Sequence, residues 1–308
     1  MTSFNKSVFE KSEALFFDSR INLNVPHDSK CKAQLSESHP SCKHFYIFEK
    51  KSVETIYSDL LEAKKQGQKK FVVLIDPDKL KLGHMDRLLQ LAVDCKVDYF
   101  FIGGSLIIND MLDEVLKQIK KVSNIPLILF PGNSFQLSYK ADALLFLSLI
   151  SGRNPELLIG KHVVTAPFLK VSPLEIISTG YILIDGGTMT SVQYMSNTLP
   201  IPADKKDIAM STALAGELLG LKLIYLDAGS GAKNTISTEM IAHVSSVLSV
   251  PLIVGGGITT PQKVYDNMMA GADMIVVGNA IEKDVELITD MAIAAHQASE
   301  KNKANHFL

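Results

Sequence analysis

Eight short apolar runs recur along the chain between residues 71 and 279. They consist mainly of Val, Ile, Leu and Phe, and they span 71–76, 99–104, 126–132, 143–149, 181–187, 223–229, 251–257 and 273–279. Nearly continuous apolar character is typical of parallel strands that are buried on both faces. Most of the runs are separated by stretches with helical periodicity, such as 84–95, 108–122 and 204–220. Eight strands with helical crossovers predict an α/β fold, a (β/α)8 barrel, with a doubly wound sheet as the alternative.

Nearly every predicted strand ends on glycine or on a polar residue. The ends are Asp76, Gly103 to Ser105, Gly132 with Asn133, Ser151 to Arg153, Asp185 to Gly187, Asp227 with Gly229 to Gly231, Gly256 with Gly257, and Gly278 with Asn279. One such end could be an ordinary turn, because sharp turns require glycine or asparagine. In a barrel, however, all eight ends lie at the C-terminal face, where active sites are built. The pattern therefore predicts a functional site at these strand ends.

The last two predicted strands end on glycine clusters, at residues 255–257 and at Gly278. Glycine leaves backbone N–H groups accessible at the start of the following helix, and such groups bind phosphate together with the helix dipole. The loops after strands 7 and 8 are the usual phosphate site of (β/α)8 barrels. Close packing of helix on strand would explain one of these clusters but not readily both. The two clusters together predict a phosphate site.

Two carboxylates stand at predicted strand ends. Asp76 follows the first strand beside Pro77, which fixes the turn, and an oxygen site of Asp76 with Ser105 suits Mg²⁺. Asp78 is expected only to cap the next helix. Asp227 follows the sixth strand on the same face as Tyr225. A carboxylate at a barrel mouth is suited to act as general base for a hydroxyl, although it could instead orient its loop.

Composition bounds the class of protein. The chain has 308 residues, 46% of them hydrophobic, and a net charge of −2, which allows one large domain and gives no electrostatic reason to expect nucleic acid as partner. No apolar run approaches the roughly 18 to 20 residues that span a bilayer, so at most a transient membrane contact is expected. The N-terminus lacks the apolar core of a signal peptide, and three cysteines are too few for a disulfide framework. We therefore expect a cytoplasmic location.

The predicted organisation is an N-terminal extension over residues 1–45, a barrel over 46–300 and a tail over 301–308. Within the barrel, residues 188–203 form a long irregular segment with several apolar side chains, which favours a wall or lid over a flexible linker. The cysteines and histidines provide no convincing metal site. Cys31, His39, Cys42 and His44 match no standard zinc spacing, and His84, His162, His243 and His296 lie in helical patterns.

Six segments resemble, in order, the motifs of the geranylgeranylglyceryl phosphate synthase family. They are "LIDPDK", "FIGGS", "LFPGN", "YLDAGSGA", "IVGGGI" and "IVVGNAIE", and the resemblance covers residues from about 47 to 290. It implies a modified (β/α)8 barrel and an enzyme, a Mg²⁺-dependent prenyltransferase of ether phospholipid biosynthesis. The reaction joins the C3 hydroxyl of sn-glycerol 1-phosphate to geranylgeranyl diphosphate or a similar prenyl diphosphate. The family is usually dimeric or hexameric, so a homo-oligomer is expected.

The resemblance also assigns roles to individual residues. It implies that Asp76 and Ser105 hold the magnesium, and that Tyr225 and Asp227 take part in catalysis. The glycerol phosphate is then expected at Tyr225, Leu226, Asp227, Ala228, Gly229, Ser230, Gly231, Gly256, Gly257, Gly278 and Asn279. The prenyl tail requires a long apolar groove, which residues 143–152 and 188–203 could line.

The chain departs from the family pattern at two positions. Leu74 stands where many members have lysine, so that phosphate charge must be neutralised elsewhere, for example by backbone N–H groups. Asp227 stands where many members have glutamate, and the shorter side chain reduces its reach. These departures leave open a barrel that binds prenyl phosphates without turnover. The phosphate loops would also suit a phosphosugar isomerase-type barrel, which is the second alternative.

Overall fold

The computed structural model describes residues 55–79, 82–105 and 111–306, and these form a closed barrel of eight parallel strands. The strands follow chain order, and the last pairs with the first. They are β1 Lys70–Ile75, β2 Tyr99–Ile102, β3 Leu127–Leu129, β4 Ala143–Leu149, β5 Glu175–Leu183, β6 Leu223–Asp227, β7 Leu252–Gly255 and β8 Met274–Val277. The predicted (β/α)8 barrel is confirmed, and the doubly wound sheet is wrong. The proposed extension at 1–45, with its cysteines and histidines, lies outside the described residues.

The helices surround the barrel. They are α1 Ile56–Lys65, α2 Leu82–Asp94, α3 Leu112–Val122, α4 Lys161–Lys170, α5 Ser191–Ser196, α6 Lys206–Leu218, α7 Thr238–Ser245, α8 Pro261–Met269, α9 Asn279–Lys283 and α10 Leu287–His306, and a π-helical turn at Glu156–Gly160 leads into α4. The stretches 84–95, 108–122 and 204–220 correspond to α2, α3 and α6. The four histidines of the helical patterns lie in α2, α4, α7 and α10, as predicted.

Strand β5 begins six residues earlier than the predicted run at 181–187. Its first half contains polar residues, and each of them has a partner that the sequence does not reveal. The Glu175 carboxylate accepts the backbone N–H groups of Ile56 and Tyr57 at 2.7 and 3.2 Å, at the start of α1. The Thr179 hydroxyl donates to the backbone carbonyl of Ile177 at 2.9 Å. Because these polar groups are satisfied, the segment pairs with β4 over seven positions.

The side chains of the strands form two apolar layers. Val72, Phe101, Ile253 and Tyr225 point inward and fill the barrel. The alternate residues, among them Phe71 and Phe100, pack outward against the helices. This alternation follows from the two-residue period of a strand. It places Tyr225 and Asp227 on the same face of β6, as the sequence predicts.

The connection between β3 and β4 departs from the regular barrel. Residues 130–142, all of which the structure describes, contain turns but no helix. This connection therefore lacks the helix that follows each strand in a regular (β/α)8 barrel. The irregular segment at 188–203 contains the short helix α5, and Ile201 pairs with Ile184 next to β5. Val192 and Met195 of this segment line the central cavity, so it forms part of the cavity wall, whereas Met189, Tyr194 and Leu199 are exposed.

Candidate active site

A cavity of about 560 Å³ opens at the C-terminal ends of the strands. Six of the eight predicted strand ends contribute to its lining, which confirms that they converge. The two described ends that do not are 151–153 and 185–187. One part of the cavity is polar, and it continues into an apolar groove along β4 and α4.

Asp76 lies in the polar part of the cavity and is almost fully buried. One of its carboxylate oxygens accepts the backbone N–H of Asp78 at 3.1 Å, and the other accepts the Lys79 ammonium at 2.9 Å. A Cβ at Gly104 would lie 2.8 Å from this second oxygen, so glycine is needed for the β2 loop to approach the carboxylate. Ser105 lines the same cavity. The structure thus brings the two predicted metal ligands into one site, whereas the predicted capping role of Asp78 stays a prediction.

Gln136 connects the loops that follow β2 and β3, and no motif in the sequence indicates this role. Its amide nitrogen donates to the Gly104 carbonyl at 2.8 Å, and its amide oxygen accepts the Gly132 N–H at 3.0 Å. Gly132 in turn packs against the Gly104 carbonyl, which would be 2.3 Å from an added Cβ. Gln136 is buried, so these bonds are shielded from water. The residue therefore fixes the loop that carries Ser105.

Lys79 is a second residue that the sequence reading missed. Its ammonium lies 2.9 Å from the Asp76 carboxylate and 4.0 Å from that of Glu282. Burial alone would lower the pKa of Lys79, but the hydrogen bond to Asp76 and the charges of both carboxylates raise it overall. Burial raises the pKa of Glu282, which the charge of Lys79 opposes. The "DPDK" motif was the available signal, since it places lysine three residues after the carboxylate.

Asp227 lines the cavity, is almost fully buried and accepts hydrogen bonds from two donors. The Tyr181 hydroxyl donates to one carboxylate oxygen, and the Gly229 N–H donates to the other at 2.7 Å. Burial raises the pKa of Asp227, and these two hydrogen bonds partly oppose the effect because they favour the ionised form. Burial and the Asp227 charge raise the pKa of both Tyr181 and Tyr225, so both phenols keep their protons. Tyr181 was not predicted as a site residue.

Tyr225 belongs to an aromatic cluster at the centre of the cavity. Its ring centroid lies 5.3 Å from that of Phe130 and 5.4 Å from that of Tyr181. Its hydroxyl lies against Gly255, where an added Cβ would be 2.5 Å away. The side chains of Leu226 and Ala228 point instead into the outer apolar layer. Of the segment 225–231, the cavity is therefore lined by Tyr225, Asp227, Ser230 and Gly231.

The glycine loops after β6, β7 and β8 meet at one side of the cavity. Gly256 and Gly257 have left-handed backbone conformations, with φ of +84° and +69°. A Cβ at Gly256 would lie 2.5 Å from an Asp227 carboxylate oxygen, so this glycine also serves close packing. The Ser230 hydroxyl donates to the Asn279 amide oxygen at 2.8 Å and joins two of the loops. The predicted phosphate residues 256, 257, 278 and 279 all line the cavity.

The apolar groove extends from this polar region. It is lined by Leu144, Leu145, Phe146, Leu147, Leu157, His162, Thr165, Leu169, Val192 and Met195. His162 does not make the groove charged, because burial lowers its pKa. Its ring packs edge-on against Phe146 with centroids 4.4 Å apart, and Nε2 lies 3.1 Å from the Ser148 hydroxyl. The predicted lining by 143–152 and 188–203 is confirmed, and α4 adds the residues that the sequence reading missed.

Comparison with known proteins places the chain in a family. The model of the PcrB family matches residues 64–298. The geranylgeranylglyceryl phosphate synthase of Chitinophaga pinensis is 57% identical, over 79% of this chain and 97% of the relative. The synthase of the same name from Pyrococcus abyssi is 42% identical, over 75% of this chain and 90% of the relative.

Solved structures agree with this placement. The crystal structure of (S)-3-O-geranylgeranylglyceryl phosphate synthase from Thermoplasma acidophilum, in complex with its substrate sn-glycerol-1-phosphate, matches with a TM-score of 0.74. The two chains are 32% identical, and the match covers 79% of this chain and 99% of the Thermoplasma acidophilum chain. Fold and site thus define a (β/α)8-barrel enzyme of the prenyltransferase class. The chain belongs to the PcrB family, and its resemblance to the geranylgeranylglyceryl phosphate synthases is confirmed.

Proposed function

We propose that the chain forms the ether bond between the C3 hydroxyl of sn-glycerol 1-phosphate and C1 of geranylgeranyl diphosphate. The observation that carries the proposal is the continuity of one cavity. It joins Asp76, Asp227 and the glycine loops to an apolar groove, which suits one small phosphorylated substrate and one lipid diphosphate. The names of the relatives and the ligand of the Thermoplasma acidophilum structure support the same assignment.

The glycine loops are suited to the acceptor substrate. Backbone N–H groups around Gly256, Gly257 and Gly278 would hold the phosphate, and Ser230 with Asn279 would line its side of the cavity. Asp227 then faces the hydroxyl that reacts. Its two oxygens offer about four lone-pair sites, of which Tyr181 and Gly229 use two, so that the hydroxyl can still bind.

The residues around Asp76 fit a bound Mg²⁺. Among the described residues, no group of three or more His, Cys, Asp or Glu side chains could hold a metal. Mg²⁺ suits such a sparse site, because it is held by one or two carboxylates together with substrate phosphates and water. Asp76 already accepts a cation, the Lys79 ammonium, and Ser105 adds an oxygen in the same cavity. When bound, the metal would neutralise the diphosphate and improve it as a leaving group.

The proposed reaction exchanges one C–O bond for another. The bond between C1 and the diphosphate oxygen breaks, and its electron pair leaves with the diphosphate. The glycerol hydroxyl oxygen bonds to C1, and its proton passes to the Asp227 carboxylate. Asp227 acts as the general base, and the loops and the groove hold the two substrates in contact.

The test is a product assay with geranylgeranyl diphosphate, Mg²⁺ and sn-glycerol 1-phosphate, with the opposite enantiomer, sn-glycerol 3-phosphate, as the matched control. We expect a prenylglyceryl phosphate and one equivalent of pyrophosphate, with a strong preference for the 1-phosphate. Binding of both substrates without product would favour the non-catalytic alternative. Isomerisation of a phosphosugar without prenyl transfer would favour the isomerase alternative.

Assembly and location complete the proposal. In the part of the chain that the structure describes, no helix combines the length and the apolar character needed to cross a membrane. A homo-oligomer in the cytoplasm, without a nucleic-acid partner and with at most transient membrane contact, stays a prediction. Size-exclusion chromatography with light scattering would measure the oligomeric state.

A further inference from the structure

The diphosphate of a prenyl substrate carries more negative charge than one divalent metal neutralises, so the site needs a further cation. Three lysines line the cavity, Lys79, Lys161 and Lys283, and among the described residues only Lys79 pairs with Asp76. Position 74 provides no charge, because its residue is leucine. The Leu74 side chain packs beside Gly278. The inference below rests on the proposed function, since it concerns how that function's diphosphate is held.

The backbone of Lys79 is fixed while its side chain has room to move. The Lys79 N–H donates to the Asp76 carbonyl at 3.1 Å, which closes the turn after β1. The side chain is half-exposed, whereas the Asp76 side chain is only 7% exposed. The ammonium lies 2.9 Å from the Asp76 carboxylate and 4.0 Å from the Glu282 carboxylate, so it sits between the end of β1 and helix α9.

We infer that Lys79 is a diphosphate-binding residue of this cavity. A divalent cation at Asp76 competes with the ammonium for the same carboxylate oxygen, because two cations so close together repel one another. The ammonium, on its flexible stem, then turns towards the oxygens of the diphosphate beside the metal. Its three N–H donors form charge-assisted hydrogen bonds with these oxygens. Lys79 thus provides the charge that Leu74 lacks.

The test is calorimetric binding of inorganic pyrophosphate in the presence of Mg²⁺, which requires no turnover. Lys79→Met should weaken pyrophosphate binding about tenfold or more, the usual effect of losing charge-assisted hydrogen bonds, while Lys79→Arg keeps most of the affinity. The affinity for sn-glycerol 1-phosphate should change by less than about twofold, since backbone N–H groups hold that phosphate, whereas the ammonium of Lys79 faces the carboxylates of Asp76 and Glu282. In steady-state kinetics, the KM for the prenyl diphosphate should rise in parallel.

Lys117→Met is the matched control. Lys117 also pairs with a carboxylate three residues away, Glu114 at 3.8 Å, but it lies on α3 outside the cavity. We expect the Lys117→Met variant to bind pyrophosphate with the same affinity as the wild type. Lys79→Gln, checked by its melting temperature, replaces Lys79→Met if the latter does not fold.

Two results would overturn the inference. Unchanged pyrophosphate affinity in Lys79→Met and Lys79→Gln would make Lys79 only the ion-pair partner of Asp76. Equal losses for pyrophosphate and for glycerol phosphate would indicate distortion of the whole cavity. Failure of the proposed function is a separate observation, because the wild type would then bind pyrophosphate through Lys79 and form no prenyl product.

Discussion

The hydroxyl of Tyr181 donates a hydrogen bond to the carboxylate of Asp227, from the strand next to it in the barrel. Tyr181 lies opposite Tyr225 in the register of β5 and β6, and Leu183 lies opposite Asp227. The tyrosine therefore reaches along the inner face of the sheet to the carboxylate. Together with the hydrogen bond from the Gly229 N–H, this bond holds the short aspartate side chain in a fixed direction.

The carboxylate of Asp227 should be required in the transition state. We expect Asp227→Asn to lower kcat and kcat/KM together, by about 10²- to 10⁴-fold, because the amide cannot accept the hydroxyl proton. Binding of both substrates should change little. Asp227→Glu keeps a carboxylate that can accept the proton and should retain substantial activity. Steady-state kinetics on both variants measures this. An active Asp227→Asn enzyme, with Asp227→Glu no better, would leave Asp227 at most a substrate anchor.

The Tyr181 hydrogen bond should appear in the pH dependence of the reaction. It stabilises the ionised form of Asp227 and so opposes the rise in pKa that burial causes. Because the base must be ionised, activity falls as pH drops through that pKa. Tyr181→Phe raises the pKa of Asp227 further, so the acidic limb of the kcat/KM profile should move to higher pH.

Tyr99, a second buried tyrosine, provides the control. It separates the loss of any buried tyrosine hydroxyl from the loss of the one that binds Asp227. Tyr99 donates to Asp59 but does not line the cavity. Tyr99→Phe should therefore leave the position of the acidic limb unchanged, although both variants lose a hydrogen bond that contributes about 1 kcal/mol to stability. The same profile in all three proteins would show that Tyr181 does not act on the base.

Asp76 should be needed for metal-dependent turnover. Asp76→Asn removes the negative charge that would hold Mg²⁺, and we expect turnover to fall about 100-fold or more. Calorimetry should show nearly unchanged affinity for sn-glycerol 1-phosphate. The apparent Mg²⁺ affinity, read from the metal dependence of prenyl diphosphate binding, should fall. Near-normal turnover would place the metal elsewhere.

The phosphate loops should be sensitive to an added side chain. Two of their glycines, Gly278 and Gly256, differ in the atoms that such a side chain would contact. At Gly278 the three atoms nearest to an added Cβ all belong to the Leu74 side chain, the first of them at 3.2 Å. Gly278→Val should therefore raise the KM for glycerol phosphate about tenfold or more, and that for the prenyl substrate much less. At Gly256 the φ of +84° and the contact with Asp227 make Gly256→Val a folding defect as well.

Melting temperatures separate these two glycines. Gly256→Val should melt well below the wild type, whereas Gly278→Val should melt close to it. If Gly278→Val raises both KM values equally, the glycine serves packing of the barrel and not phosphate binding.

The sequence by itself determined the barrel and the position of its site. Strands buried on both faces are continuous apolar runs, and strand ends that meet at one face carry glycine and polar residues, so both features are local and readable. Asp76, Asp227 and the glycine clusters were found in this way. The start of β5 was not, because the partners of Glu175 and Thr179 make a polar segment compatible with a buried strand.

Only the tertiary structure decided which side chains complete the site. Tyr181 and Asp227 are 46 residues apart, and Gln136 and Gly104 are 32 apart. The residues next to Tyr181 and next to Gln136 in the sequence do not indicate which residue each of them binds. Lys79 is close to Asp76 in sequence, yet its proximity to Glu282 depends on β1 and β8 being neighbours in the closed barrel. Hydrogen bonds and ion pairs act over a few ångströms in space, and it is the closure of the barrel that brings these distant segments within that range.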